Sequence, residues 1–371
     1  MSQLLSQGGF GCVYYPGLNC KGKSLLKKNV VSKLQKNNFN SINEIYIGKI
    51  IKTIPLYIDF FLPVIKSCQT DIRLFDKNLI SECQIIKGSK NKYILMDIPY
   101  VPNKPFVSIF EKDNKHILLI LTETFTYLLK CISKLLNINI VHFDLKADNI
   151  LYNSLTNNPQ IIDFGISIPI KNLNKNTIKD FFYIYAPEYY IWPLEVHIIN
   201  YLVNETQSKL TTIEAKLIVE NYVKSNSALS IFSPEFISRY QIACEKEINK
   251  FVDKSREIVI EQLIKFYKTW DNYSLSIIYL KLFEYIFPDG YYKNTMLISL
   301  SQLLLININP NPTKRLSIED TLKKFQNIFY KDGDVSSYLD VAKNIITTQN
   351  TVHKFNNDIN SLKFILNKNN K

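Results

Sequence analysis

The chain has 371 residues, 46% of them hydrophobic, enough to bury one large core or two moderate ones and too many for a disordered polymer. Its formal charge of +12 rests on lysine, since arginine occurs only at Arg73, Arg239, Arg256 and Arg315, and no basic cluster is interleaved with aromatics; no specific nucleic-acid surface is expected. The six cysteines (Cys12, Cys20, Cys68, Cys83, Cys131, Cys244) form no CxxC pair and no metal spacing with the four histidines, so they read as free thiols in a reducing, intracellular compartment, the cytoplasm.

The opening MSQLLSQGG lacks the basic-then-apolar pattern of a secretory signal. Gly8-Gly9-Phe10-Gly11, Val13-Tyr14-Tyr15, Pro16-Gly17, Val30-Val31, Phe60-Phe61-Leu62 and Tyr93-Ile94-Leu95-Met96 alternate turns with β-branched and aromatic runs, which predict strands. Ile42, Ile45, Tyr46, Lys49 and Ile50, behind Ser41 as an N-cap, predict one helix among them. Beyond residue 100 the period is helical. Ile117, Leu118, Leu121, Phe125, Leu128, Leu129, Ile132 and Leu135 make a broad apolar face, and the polar interruptions Glu123, Lys130 and Lys134 exclude a membrane span. Residues 190–266 form a second helical tract, in which Ser233-Pro234-Glu235 supplies an N-cap, a first-position proline and a first-turn acid. Residues 331–371 are polar around Leu362, Phe364, Ile365 and Leu366, predicting a docked helix and a frayed end. A small strand-rich lobe followed by a large helical one, an α+β fold, accounts for this order.

The densest chemistry is His142-Phe143-Asp144-Leu145-Lys146-Ala147-Asp148-Asn149, followed fourteen residues after Asn149 by Asp163-Phe164-Gly165. Asp144 can accept a hydroxyl proton, Lys146 can neutralise charge on a transferred group, and Asn149 with Asp163 offers hard oxygens suited to magnesium. Singly, either aspartate reads equally well as a turn residue, and His142 reads as a buried packing residue. Ser6-Gln7-Gly8-Gly9-Phe10-Gly11-Cys12-Val13 follows GxGxxGxV with Ser6 for the first glycine, a pattern that alone is more often a hairpin turn. Lys33 in Val30-Val31-Ser32-Lys33 matches VAIK loosely, with Lys27, Lys28 and Lys36 as rivals, and Glu44 on the predicted helix is its ion-pair candidate or else a surface glutamate. Asp271-Asn272-Tyr273-Ser274-Leu275, Ala186-Pro187-Glu188 and Asn309 to Leu316 complete the set.

In this order the motifs resemble those of the eukaryotic-type protein kinases, over residues 4 to about 325. The glycine turn almost at residue 1, Phe143 in the HxD position, the long insert and the lysine- and asparagine-rich composition add a likeness to Ser/Thr protein kinases of giant DNA viruses, whose place is the host cytoplasm or the virion. The resemblance implies a two-lobed fold, with an N-lobe over 1–97, a C-lobe over 98–330 carrying the helical insert 190–266, and a tail over 331–371. It implies transfer of the γ-phosphoryl group of ATP, with Mg2+, to Ser/Thr hydroxyls of a protein substrate. Catalytic roles would fall to Asp144, Lys146, Asn149, Asp163, Lys33 and Glu44, and the metal to Asn149 and Asp163. Gly8, Gly9 and Gly11 would admit the triphosphate to the backbone, Val13 and Val31 would cover adenine, Leu151 would close the pocket from below, and Met96-Asp97-Ile98 would be the gatekeeper and hinge. Glu188 would pair with Arg315, and Asp271 would anchor the catalytic-loop backbone.

There are departures. Phe143 replaces the arginine that usually meets an activation-segment phosphate, so residues 163–188 are expected to order without phosphorylation. Lys146 favours Ser/Thr specificity, but Phe181 stands where the family has a threonine five residues before the APE alanine. Gly48 replaces an apolar residue under the DFG phenylalanine and predicts a helix that is either loosely positioned or positioned by a partner. Ser6, Gly48 and the loose match at Lys33 leave open a pseudokinase or scaffold; a small-molecule kinase is a third class, against which APE and Arg315 speak. The 82 residues between Glu188 and Asp271 suit either a docking element for a partner or a packing elaboration.

Overall fold

The computed structural model describes residues 2–9, 11–22, 27–86, 92–111, 116–205, 208–288, 290 and 293–331. The small lobe comprises β1 (Gln3–Gln7), β2 (Gly11–Tyr15), β3 (Val30–Lys36), α1 (Phe39–Ile51), α2 (Tyr57–Phe60), β4 (Lys66–Thr70), α3 (Lys77–Ser81) and β5 (Tyr93–Pro99). Its five strands form an antiparallel sheet in the order β1-β2-β3-β5-β4. Register decides which side chains meet. Val13 lies opposite Lys33, Lys33 opposite Met96 and Val31 opposite Ile98. Because successive side chains alternate between faces, Gly11, Val13, Val31, Lys33, Met96 and Ile98 share one face. Cys12, Tyr14, Leu34, Tyr93 and Leu95 take the other, where they build a small separate core with Leu18, Phe75, Cys83 and Ile86.

Cys12 is bonded to Cys83 and Cys20 to Cys68 at this outer face, while Cys131 and Cys244 are free and buried. The free-thiol expectation fails for these four cysteines, and the argument from thiols for a reducing compartment fails with it. The partners are 71 and 48 residues apart, so packing of the following segments on the outer face of the sheet brings them together.

The small lobe holds two short helices, α2 and α3, besides the one expected, and three local expectations also change. The N-cap of α1 is Asn38; Ser41 is the third residue of its capping box, each side chain bonding the other's backbone N–H. Gly48 does not loosen α1: a Cβ there would stand 2.7 Å from the Val64 carbonyl oxygen, so the glycine permits a close approach of helix to strand-entry backbone. Phe60-Phe61-Leu62 is no sheet strand either. α2 ends at Phe60, Phe61 makes an isolated parallel bridge to Ile161, and the Leu62 N–H donates to the Ile161 carbonyl (3.1 Å), lashing the small lobe to the large one.

The large lobe contains β6 (Asn103–Pro105), α4 (Ile117–Asn137), β7 (Ile140–Val141), β8 (Ile150–Asn153), β9 (Asn158–Ile161), β10 (Ile168–Pro169), α5 (Ile178–Phe181), α6 (Leu194–Asn204), α7 (Thr212–Ser225), α8 (Pro234–Ile248), α9 (Arg256–Ile264), α10 (Trp270–Ile286), α11 (Thr295–Asn307) and α12 (Ile318–Lys331). The apolar face of α4 packs with α10, α11 and α12 in one core, which reaches the small lobe through Ile47, Ile51 and Phe61. A second core joins α6, α7, α8 and α9 to Val141, Phe143, Phe182, Trp192 and Trp270. The inner faces of the 190–266 tract are thus a packing elaboration of the large lobe. No helix among the described residues is long and apolar enough to cross a membrane. The helix expected around Leu362, Phe364, Ile365 and Leu366 lies outside the described residues.

Candidate active site

Two segments converge beneath the sheet, the loop between β7 and β8 and the turn after β9. Each holds a non-glycine residue in left-handed backbone, Phe143 at φ +68° and Asp163 at φ +60°, a conformation that costs about 1–3 kcal/mol and persists only when its surroundings impose it. The surroundings at Phe143 are explicit. The Asp271 carboxylate, in the first turn of α10, accepts the N–H groups of His142 (2.7 Å) and Phe143 (3.0 Å), and Trp192 Nε1–H donates to the Phe143 carbonyl (2.7 Å). Burial pushes the Asp271 carboxyl above its usual range. The Phe143 ring stacks on Trp192 with centroids 4.9 Å apart and meets Phe182 at 5.4 Å and Trp270 at 5.8 Å.

This loop presents Asp144, Lys146 and Asn149 together. Asn149 Nδ2 donates to the Asp144 carbonyl and to its Oδ2, both at 2.9 Å, and Lys146 Nζ lies 3.1 Å from the same carboxylate. A fourth group joins them that the motifs do not include. Tyr189 donates its hydroxyl to Asp144 Oδ1 and accepts from Lys146 Nζ (3.2 Å). Burial, then the charge of Asp144, raises the Tyr189 phenol above its ordinary range, so it stays protonated. Phe181, at the place where a hydroxyl was expected, is buried and meets Phe39 edge-on at 5.1 Å. Both carboxylate oxygens of Asp144 thus already accept from neighbouring donors.

Across the cleft, Lys33 bonds Glu44 Oε2 (2.8 Å) and Asp163 Oδ1 (2.9 Å). Of the rival lysines, Lys27 is bound to Asp97 on the opposite face (2.6 Å), Lys28 is exposed and Lys36 ends β3 half-buried. Burial opposes charge on Lys33, but the two carboxylates more than offset it and hold the ammonium above the usual lysine range. Burial likewise acts against Asp163, yet Lys33 and the Gly165 N–H keep its carboxyl below the usual range. Glu44 is pushed by burial up to about 7, with Lys33 opposing. Asn43, one residue earlier on α1, donates to the carbonyls of Gly165 (3.1 Å) and Ser167 (2.8 Å), so the helix that supplies Glu44 also grips the segment carrying Asp163. Phe164 is buried against His142 (5.1 Å) and Phe61 (6.1 Å).

The donor set fits a hard cation beside a polyphosphate. Asn149 spends Nδ2 on Asp144, and Asp163 spends Oδ1 on Lys33 and Gly165; Asn149 Oδ1 and Asp163 Oδ2 have no hydrogen-bond partner among the described residues. No cluster of three His, Cys, Asp or Glu side chains suited to a metal occurs among those residues; a magnesium ion at Asn149 and Asp163 would take its remaining ligands from phosphates and water. Around Gly8 and Gly9 a Cβ would meet nothing within 4 Å, so the protein's own packing does not demand those glycines and a close-lying ligand would. Gly11 differs: its Cβ would stand 2.6 Å from the Leu34 carbonyl oxygen, so it is required by packing on β3.

Val13, Val31 and Leu151 are half-buried, the two valines on the Lys33 face, and Met96 is fully buried. Asp97 departs from its expected role. Its side chain points to the outer face, bonded to Lys27 and Ser32 (3.0 Å), and its carbonyl already accepts the Ile65 N–H (2.9 Å). Ile98 is paired with Val31 in the ladder, Pro99 has no N–H, and the Tyr100 N–H is spent on the Asn29 carbonyl (3.0 Å).

The expected Glu188–Arg315 pair does not form. Glu188 is exposed, and Arg315 forks onto Glu195 instead, Nη1 to Oε1 at 2.6 Å and Nη2 to Oε2 at 2.8 Å. Glu195 sits in the first turn of α6, behind Pro193, and also accepts from Trp270 Nε1 (3.1 Å). Pro193-Leu194-Glu195 is the sequence signal that could have found it, masked by the perfect Ala186-Pro187-Glu188 seven residues earlier.

Residues 1–190 match a family model described as protein kinase domain. No curated protein matches the chain.

Proposed function

Because the chain belongs to the protein kinase family, we propose that it transfers the γ-phosphoryl group of ATP to Ser/Thr hydroxyls of protein substrates and that it is active rather than a pseudokinase. The observations that support this are the Asp144–Lys146–Asn149 group and the Lys33–Glu44–Asp163 group, joined through the Ile162 N–H, next to Asp163, which donates to the Asn149 carbonyl (3.0 Å). Magnesium, when bound, neutralises charge on the phosphate oxygens. Asn149 and Asp163 are its holders. Lys33, aimed by Glu44, binds phosphate; Asp144 orients the acceptor hydroxyl and takes its proton; Lys146 neutralises charge beside it. Relatedness to giant-virus enzymes is part of the same proposal, supported by Phe143 and the insert. The test is radiolabelled ATP with generic protein substrates, wild type beside Asp163→Asn, followed by phosphoamino-acid analysis. Magnesium-dependent nucleotide binding without transfer, unchanged by Asp144→Asn, would select the pseudokinase.

Two further expectations follow from the geometry. The aromatic cluster around Phe143 does by packing what an arginine–phosphate pair does elsewhere. Phosphatase treatment should leave activity within about twofold, and abolition of activity would contradict this. The second concerns pH. A carboxyl raised to about 7 binds its proton more tightly in the folded protein than in the unfolded one, so Glu44 favours folding at acid pH and this contribution is lost as pH rises through about 7. The ion pair that aims Lys33 needs the opposite form, ionised Glu44. Turnover measured as kcat/KM should therefore fall about tenfold per pH unit on the acid side of 7. Glu44→Gln should lower the plateau and flatten that limb; an unchanged acid limb would show that another group sets it.

A further inference from the structure

Among the described residues, Gly8 and Gly9, in the turn between β1 and β2, have little of their own to hold them. Gly8 N–H closes onto the Gly11 carbonyl (3.0 Å), and beyond their chain neighbours nothing among the described residues lies within 4 Å of where a Cβ on Gly8 or Gly9 would stand. The turn's anchors lie at its two feet and lead to the same place. At the end of β1, Gln7 Oε1 accepts the Gln84 N–H (3.2 Å). At the start of β2, Cys12 is bonded to Cys83, and both cysteines are fully buried with Leu34, Phe75 and Ile86. Gly11, between turn and disulfide, is paired with Gln35 on β3 and leaves no room for a Cβ against the Leu34 carbonyl, so β2 is seated closely on β3. The other disulfide, Cys20–Cys68, ties the connection after β2 to β4, and Thr70 Oγ1 donates to the Cys20 carbonyl there (3.0 Å).

We infer that the Cys12–Cys83 disulfide is a positioning element for nucleotide binding: with the Gln7–Gln84 contact it holds the glycine turn at the height at which its backbone covers the phosphates, and its reduction releases that turn. The inference rests on the kinase reading of the cleft. Cys12 acts through the backbone of Gly11 and the turn and touches no substrate. The two disulfides then have different duties. Cys20–Cys68 stabilises the lobe, whereas Cys12–Cys83 also sets the turn, because a turn that must be ordered at binding subtracts that ordering from affinity. Reduction is ordinary exchange: two equivalents of an external thiol give two protein thiols and one oxidised reductant molecule, passing through a mixed disulfide. Cys20 and Cys68 are half-buried and Cys12 and Cys83 fully so, so the lobe disulfide should reduce first and the turn disulfide later.

The test compares the full chain with Cys12→Ala/Cys83→Ala and Cys20→Ala/Cys68→Ala. Affinity for a non-hydrolysable imido analogue of ATP with magnesium is read by calorimetry, beside Tm. Both double variants should lose Tm, but only Cys12→Ala/Cys83→Ala should weaken nucleotide binding, by roughly tenfold, with kcat at saturating ATP nearly kept. Wild type titrated with dithiothreitol, its thiols counted by alkylation and mass spectrometry, supplies the same answer if a variant fails to fold: affinity should drop with the appearance of free Cys12 and Cys83 and not with Cys20 and Cys68. Equal effects of the two pairs on affinity, no effect of the first pair, or six alkylatable cysteines in the untreated protein would each overturn the inference. Wild type that binds nucleotide but transfers nothing sinks the active-kinase reading and leaves this one standing; wild type that binds no nucleotide sinks both.

Discussion

Asp163→Asn is expected to reduce phosphoryl transfer by about three orders of magnitude or more, because it removes the charge of the carboxylate proposed to hold the cation, which is also one of the two carboxylates on Lys33. Asparagine is the sharper replacement than alanine. Asp163 has φ +60°, a region that Asn tolerates and Ala does not, so Asp163→Ala confounds loss of a ligand with backbone strain. The fold should survive. Asp163 is not needed for the Lys33–Glu44 pair at 2.8 Å, nor for the Asn43 bonds that hold Gly165 and Ser167, so Tm should move little. A variant that keeps wild-type transfer would remove the metal-binding role from Asp163 and, with it, the functional reading of the whole cleft.

Glu195→Ala is expected to destabilise the large lobe by about 3–5 kcal/mol, since it leaves the Arg315 guanidinium buried without its counter-charge. Both side chains of this pair are nearly inaccessible, at 1% and 2% relative exposure, so solvent cannot replace the missing partner. Arg315 has further donors committed, Nε to the Asn309 carbonyl (2.8 Å) and Nη1 to Thr269 (3.3 Å), and its guanidinium lies over Tyr273 at 5.3 Å. Arg315→Lys should therefore not rescue the fork geometry. Glu188→Ala, at an exposed residue, should change stability by less than about 0.5 kcal/mol. Urea midpoints with matched m-values decide the matter. If Glu188→Ala were the damaging change and Glu195→Ala the silent one, the pairing described above would be wrong.

The reversal at Arg315 shows where reading along the chain stops. Ala186-Pro187-Glu188 matches its motif letter for letter, yet the carboxylate that enters the core belongs to the first turn of a helix that begins at Leu194. Both glutamates lie within seven residues of each other, and which one points inward depends on where α6 starts and what it packs on. β4 escaped notice for a related reason: Lys66-Ser-Cys-Gln-Thr70 is an edge strand with no apolar alternation, recruited by β5 rather than by its own composition. Asn43 and Tyr189 belong to no motif; they are found only once α1 and the segment after Asp163 are placed beside the cleft.

What the residues alone determined about this protein is its order of parts: a strand-rich lobe with its main helix α1, then a helical lobe, in which Asp144, Asn149 and Asp163 stand at motif spacing. Those features are local, since hydrophobic period and short-range spacing are written within a few tens of residues. What only the tertiary structure decided is which distant groups meet: Cys12 with Cys83, Cys20 with Cys68, Arg315 with Glu195, and Tyr189 with Asp144. Such contacts join residues 45 to 120 positions apart, where sheet register and helix packing choose the partner and the chemistry of either residue by itself does not.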